Sequence, residues 1–166
     1  HFQSTIGGVK VASSVSAFVA SSLLAGSLAA QVLTESFTGA SGSTPTGWVF
    51  DGVNYTPNLT GPADGGGWLR LTSTGNNQAT SAYFDTAFSA TGATVYASFD
   101  YASWGGSGAD GIAFFLFDGS TTFSVGADGG SLGYAQKTGV DGLAGGYIGV
   151  GIDEFGNYSN ATEGRV

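Results

Sequence analysis

The sequence contains no cysteine and no methionine, its single histidine is His1, and only four of its 166 residues are basic. Without cysteine there can be no disulfide framework, no thiolate zinc site and no thiol nucleophile. Without a histidine beyond His1, the His-based catalytic triads and the commonest general base are excluded. Lys10, Arg70, Lys137 and Arg165 are scattered among 12 acidic residues, for a net charge of −8. No basic face is available to meet phosphates, so nucleic acid is not an expected partner. The missing initiator methionine and the end at "EGRV" read as a piece cut from a longer chain at both ends.

What remains is a β-forming composition. Glycine reaches 30 residues, hydrophobic residues 42% and aromatics 13%. That is enough apolar material for one domain with a substantial core. Abundant Thr, Ser, Tyr and Phe favour strands joined by glycine turns.

Residues 11 to 30, "VASSVSAFVASSLLAGSLAA", form the one long uncharged stretch, with Lys10 before it and small residues at Ser27 and Ala29. Basic flank, apolar stretch and small residues are the layout of a secretory signal peptide. A membrane span is the weaker alternative, because six of these twenty residues are serine; an Ala-rich core helix is the bland one. Residues 1–31 are thus read as a signal or membrane-targeting segment. On that reading they are helical or loosely attached, and the mature domain, 32–166, has no membrane span.

The texture after residue 31 is of short strands and turns. "VLTESFTG", "TPTGWVFDG", "GGGWLRLTST", "QATSAYFDTAFS" and "ATVYASFDYAS" each read as a strand, several with period-2 alternation. "GIAFFLF" and "GGYIGVGIDEF" are apolar on both parities, as a strand covered on both faces would be. Some seven strands at this spacing, with no convincing helix, predict a two-layer antiparallel β-sandwich.

Polar side chains gather at three strand ends: "GADG" at residues 108–111, "GADGGSLGY" at 126–134 and "DEFGNYSN" at 153–160. They offer carboxylate, amide and backbone carbonyl oxygens. Such hard donors suit calcium, with Asp153, the Phe155 carbonyl and Asn157 able to reach one ion. The same residues also populate ordinary turns. Asp110, a carboxylate at the mouth of an apolar strand, needs a partner to be worth burying.

Taken together, "GADGIAFFLF", "GGSLGY" and "GYIGVGIDEFGNYSN" resemble the core of an L-type, legume-lectin-like domain. With "ESFTGASGSTPTGWVF" at the opening and "DEFGN" and "EGRV" near the end, the chain is similar to the bacterial members over residues 32 to 166. The resemblance implies a concanavalin-like jelly roll, incomplete at its C-terminus, that binds glycans without catalysis. It implies that Asp110 follows a cis bond from Ala109 and accepts sugar hydroxyls. Gly129, Gly130 and Asn157 complete the sugar site by the same resemblance. Asp153, Phe155 and Asn157 would be the calcium ligands, and Asp110 and Asn157 would converge at one rim. Where the plant proteins hold a transition metal this chain has Gly151 and no histidine, which leaves that second metal without ligands.

Aromatics at Tyr101, Trp104 and Tyr134 are either sugar-stacking or core residues. Two other functions compete: a structural or adhesin domain that binds no sugar, and a glycoside hydrolase. Hydrolysis needs two carboxylates across a cleft. Asp153 and Glu154 are strand neighbours that point to opposite faces. The composite expectation is a secreted or cell-surface lectin-like domain.

Overall fold

Phe37 shows how the core is made. Its backbone takes a left-handed conformation, φ 50, which an extended strand cannot contain. The 32–39 stretch therefore forms no strand, and Phe37 is instead driven inward to 1% exposure. The Glu35 carboxylate accepts the Phe37 backbone N–H at 2.8 Å and fixes the kink.

The computed structural model describes residues 20–21, 32–64, 66–90, 93–106, 108–161 and 164. Among them, strands dominate and helix is confined to two 3-10 turns, Pro62–Asp64 and Gly129–Ser131. The strands are β1 (Ala20–Ser21), β2 (Trp48–Val53), β3 (Asn58–Leu59), β4 (Leu69–Arg70), β5 (Ala79–Phe84), β6 (Ala93–Thr94), β7 (Gly111–Phe117) and β8 (Gly146–Asp153). They pair antiparallel as β1 with β6, β2 with β5, β3 with β4, and β7 with β8.

The two long pairings fall on the segments whose patterning was clearest. "TPTGWVFDG" supplies β2 and "QATSAYFDTAFS" supplies β5, in register from Trp48 opposite Phe84 to Val53 opposite Ala79. "GIAFFLF" is β7, and it runs from Gly111 opposite Asp153 to Phe117 opposite Gly146. Residues 95–100 keep the in–out alternation of a strand, yet they hold no ladder partner among the described residues. Of the expected signal segment, only Ala20 and Ser21 fall within the described residues, where they form a strand rather than a helix. Phe18, Leu23 and Leu24 lie outside them.

Phe37, Leu59, Leu69 and Ile112 make the buried cluster, with Trp48, Phe50, Leu71, Ala82, Phe99, Tyr101 and Ile152 against it. Ile112 therefore seats one face of the β7–β8 pair on this core. The other face is aromatic. Phe115 and Phe117 meet Phe123 at centroid distances of 6.1 and 5.3 Å, and Tyr83 stacks on Phe123 at 4.2 Å. Side chains on both faces explain why β7 is apolar on both parities.

Candidate functional site

The β7–β8 pair sets the site, because it brings Gly111 against Asp153. A Cβ on Gly111 would lie 2.2 Å from the Ile152 carbonyl oxygen. Only glycine lets the ladder begin there. The peptide just before it, Ala109–Asp110, is cis. The Asp110 carbonyl accepts the backbone N–H groups of Glu154 at 2.8 Å and Phe155 at 3.2 Å. Asp110 itself is 1% exposed.

The "GADGGSLGY" stretch folds into a self-bonded loop opposite. Gly126 N–H donates to the Gly133 carbonyl at 2.7 Å, and Gly133 N–H returns a bond to Ala127 at 2.9 Å. Inside it, Gly129–Ser131 is a 3-10 turn ended by Leu132 in the left-handed conformation. Lys137 and Asp128 form an ion pair at its flank. This turn faces both other segments. A Cβ at Gly129 would stand 3.8 Å from Asp110 Oδ2, and one at Gly130 only 2.3 Å from Asn157 Oδ1. Asp110, Gly129, Gly130 and Asn157, spread over 48 positions of sequence, thus meet at one end of β7 and β8.

The turn after β8 is organised by Asp153. Its Oδ1 accepts the N–H of Phe155 at 3.2 Å and of Gly156 at 2.8 Å, while Oδ2 accepts that of Tyr158 at 2.7 Å. Three backbone donors on one carboxylate close the loop that carries Asn157. Gly151 is explained by packing: a Cβ there would lie 2.6 Å from the Tyr158 ring.

Asp153, the Phe155 carbonyl and Asn157 share this one turn and offer hard oxygen donors of the kind calcium takes. They remain a short set beside the six to eight oxygens calcium takes. Among the described residues no group of three or more His, Cys, Asp or Glu side chains comes together.

Sequence reasoning missed Glu154 as an organiser. The Tyr101 hydroxyl donates to its Oε1 at 2.9 Å, and the Ser103 hydroxyl does so at 3.2 Å. Burial, reinforced by the bond to Glu154, pushes the Tyr101 hydroxyl up to about 12, so it stays a donor throughout the neutral range. Strand alternation was applied to Asp153 and Glu154 together, yet β8 ends at Asp153; what sequence reasoning lacked was a partner for Glu154 about fifty residues away. Of the three flagged aromatics, Trp104 is 48% exposed. Tyr134 lies along β8, where a Cβ on Gly149 would fall 2.3 Å from its ring. Tyr101 packs against the core.

A separate cavity of about 910 Å³ opens among Leu71, Ala82, Tyr83, Phe99, Phe115 and Phe123. Its walls are mainly apolar, with Asp85, Asp118 and Ser120 among the polar residues that line it. No helix among the described residues is long and apolar enough to cross a membrane. No protein-family model, curated protein or solved structure matches the chain.

Proposed function

We propose that this chain is a non-catalytic carbohydrate-recognition domain of the L-type lectin kind, with its site at Asp110, Gly129, Gly130 and Asn157. The finer fold, a concanavalin-like jelly-roll sandwich, and a secreted or cell-surface location belong to the same proposal. One observation carries it: four residues nominated from three separate motifs lie together, around a buried carboxylate whose main chain is held by the Asp153 turn. Asp110 accepts sugar hydroxyls, Asn157 adds an amide, and the Gly129 turn brings bare backbone close to the ligand. Charged acceptors make the stronger bonds here. A calcium ion at Asp153, the Phe155 carbonyl and Asn157 is part of the reading. It would brace the turn bearing Asn157, with further oxygens needed to complete its shell.

Glycan-array binding of the chain, compared with Asp110→Asn, tests the proposal. The substitution is expected to weaken binding about tenfold or more, since a hydrogen bond to a charged group contributes about 1.5–3 kcal/mol. Binding that is indifferent to Asp110→Asn overturns it. The near-complete burial of Asp110 favours one alternative, a structural domain in which Asp110 pins the loops. That reading predicts a stability loss in Asp110→Asn and no glycan bound by the unaltered chain.

A further inference from the structure

We propose that the 101–104 segment forms a second recognition wall beside Asp110, where Trp104 stacks on a second sugar residue and Glu154 is the positioning residue. This rests on the carbohydrate reading above and extends it from one sugar ring to an oligosaccharide.

The first support is the state of Trp104. The residue is 48% exposed, and its ring meets Trp68 edge-to-face with centroids 6.0 Å apart at 72°. One side of the ring is braced and part of it is open to solvent. A flat aromatic surface of that kind suits the contiguous C–H face of a pyranose.

The second support is the tether. Tyr101 and Ser103 both donate to the Glu154 carboxylate, and the Glu154 backbone N–H donates to the Asp110 carbonyl at 2.8 Å. One residue thus ties the aromatic segment to the main chain of Asp110. From Trp104 the chain reaches Asp110 within six positions, through Gly105, Gly106 and Gly108 at φ 77, 61 and 80. Such backbone is permissive of tight turns, and the shared Glu154 contacts keep residues 101 and 103 of the wall near the Asp110 end of β7.

The charge of the wall narrows the ligand. Glu154 lies in it and the chain carries a net −8, which disfavours uronic and sialic acids by like-charge repulsion. The ligand class is therefore a neutral oligosaccharide of two or more residues.

Calorimetric titration of the full chain with a neutral monosaccharide and its oligosaccharides tests this. Trp104→Ala should lower oligosaccharide affinity roughly tenfold, the scale of one good aromatic contact with its buried area, and leave the monosaccharide unchanged. Trp104→Phe should restore most of the loss. Glu154→Ala should reproduce the split, while Glu154→Gln, which keeps an acceptor oxygen, should not. Both leave the backbone bond to Asp110 in place. Equal loss for both ligands, or no loss for the oligosaccharide in a protein that still depends on Asp110, overturns the wall alone. Absence of any glycan binding, or indifference to Asp110→Asn, overturns the carbohydrate reading and the wall with it.

Discussion

Two neighbouring glycines, Gly129 and Gly130, do different work, and substitution should separate them. A methyl at Gly130 would overlap the Asn157 amide, with contacts of 2.3 to 2.5 Å, far inside van der Waals distance. Gly130→Ala should therefore displace Asn157 and weaken glycan binding at least about tenfold, with a stability cost of about 1–3 kcal/mol for overpacking. A methyl at Gly129 has room, 3.8 Å from Asp110, but its φ of 67 costs an L-residue about 1–2 kcal/mol. Gly129→Ala should lower the melting temperature while keeping more of the affinity; equal effects on binding would show that the two play one role. Tyr101 offers a second residue-scale test. Its folded-state value, about 12, lies above the ordinary tyrosine value of 10.0, so the folded chain holds the proton that the unfolded chain releases first. The stability it contributes is complete below pH 10 and is lost as the pH rises toward 12. Denaturant melts across that window should show a smaller decline in Tyr101→Phe than in the unaltered chain. The residues of the candidate site were named from the resemblance of three short motifs to the lectin family, and the fold brings those residues together. The role of Glu154 was not legible, since its partners depend on where residues 101–103 are carried by the fold.

At the scale of elements, the turn following β8 is the support of the site. Asp153 accepts three of its backbone N–H groups, and two N–H groups of the same turn hold the Asp110 carbonyl. Removing the carboxylate in Asp153→Ala leaves the Gly156 and Tyr158 N–H groups without their acceptor, while Phe155 N–H keeps the Asp110 carbonyl, and should destabilise the domain by about 2 kcal/mol, within the range for bonds to a charged group. Glycan affinity should fall with it, because Asp110 rests on that turn. A variant that melts earlier but binds normally would show that the turn and Asp110 are independent. The strands themselves were readable in proportion to their patterning. β7 and β8, apolar on both parities, and β5, bounded by turns, were found from the sequence, but β8 is not covered on both faces as its pattern suggested: Tyr147, Ile148 and Val150 are exposed. The 32–39 stretch reads as a strand by composition, yet its Phe37 gains more from full burial in a left-handed kink than from a ladder. Residues 95–100 keep the strand period without a partner, which periodicity alone cannot reveal, since alternation reports faces and not edges.

At the scale of the whole molecule, the decisive feature is an edge. β8 pairs with β7 alone among the described strands, and it exposes Tyr147, Ile148 and Val150 at 73%, 49% and 53%. An edge of eight residues with open backbone groups and apolar side chains is a template for pairing with another chain. The net charge of −8 opposes association, but salt screens it over roughly 10 Å at 0.1 M. The chain should therefore self-associate as concentration and ionic strength rise. A lysine in the strand counters edge pairing by placing a solvated charge where a second strand must approach. Val150→Lys is the suitable site, because Val150 is already half exposed and lies away from Asp110, the Gly129 turn and Asp153. Sedimentation velocity over a hundredfold concentration range should show association in the unaltered chain and a shift toward monomer in Val150→Lys, with little change in melting temperature. A chain that sediments as a monomer at every concentration and salt level would mean that this edge is already covered.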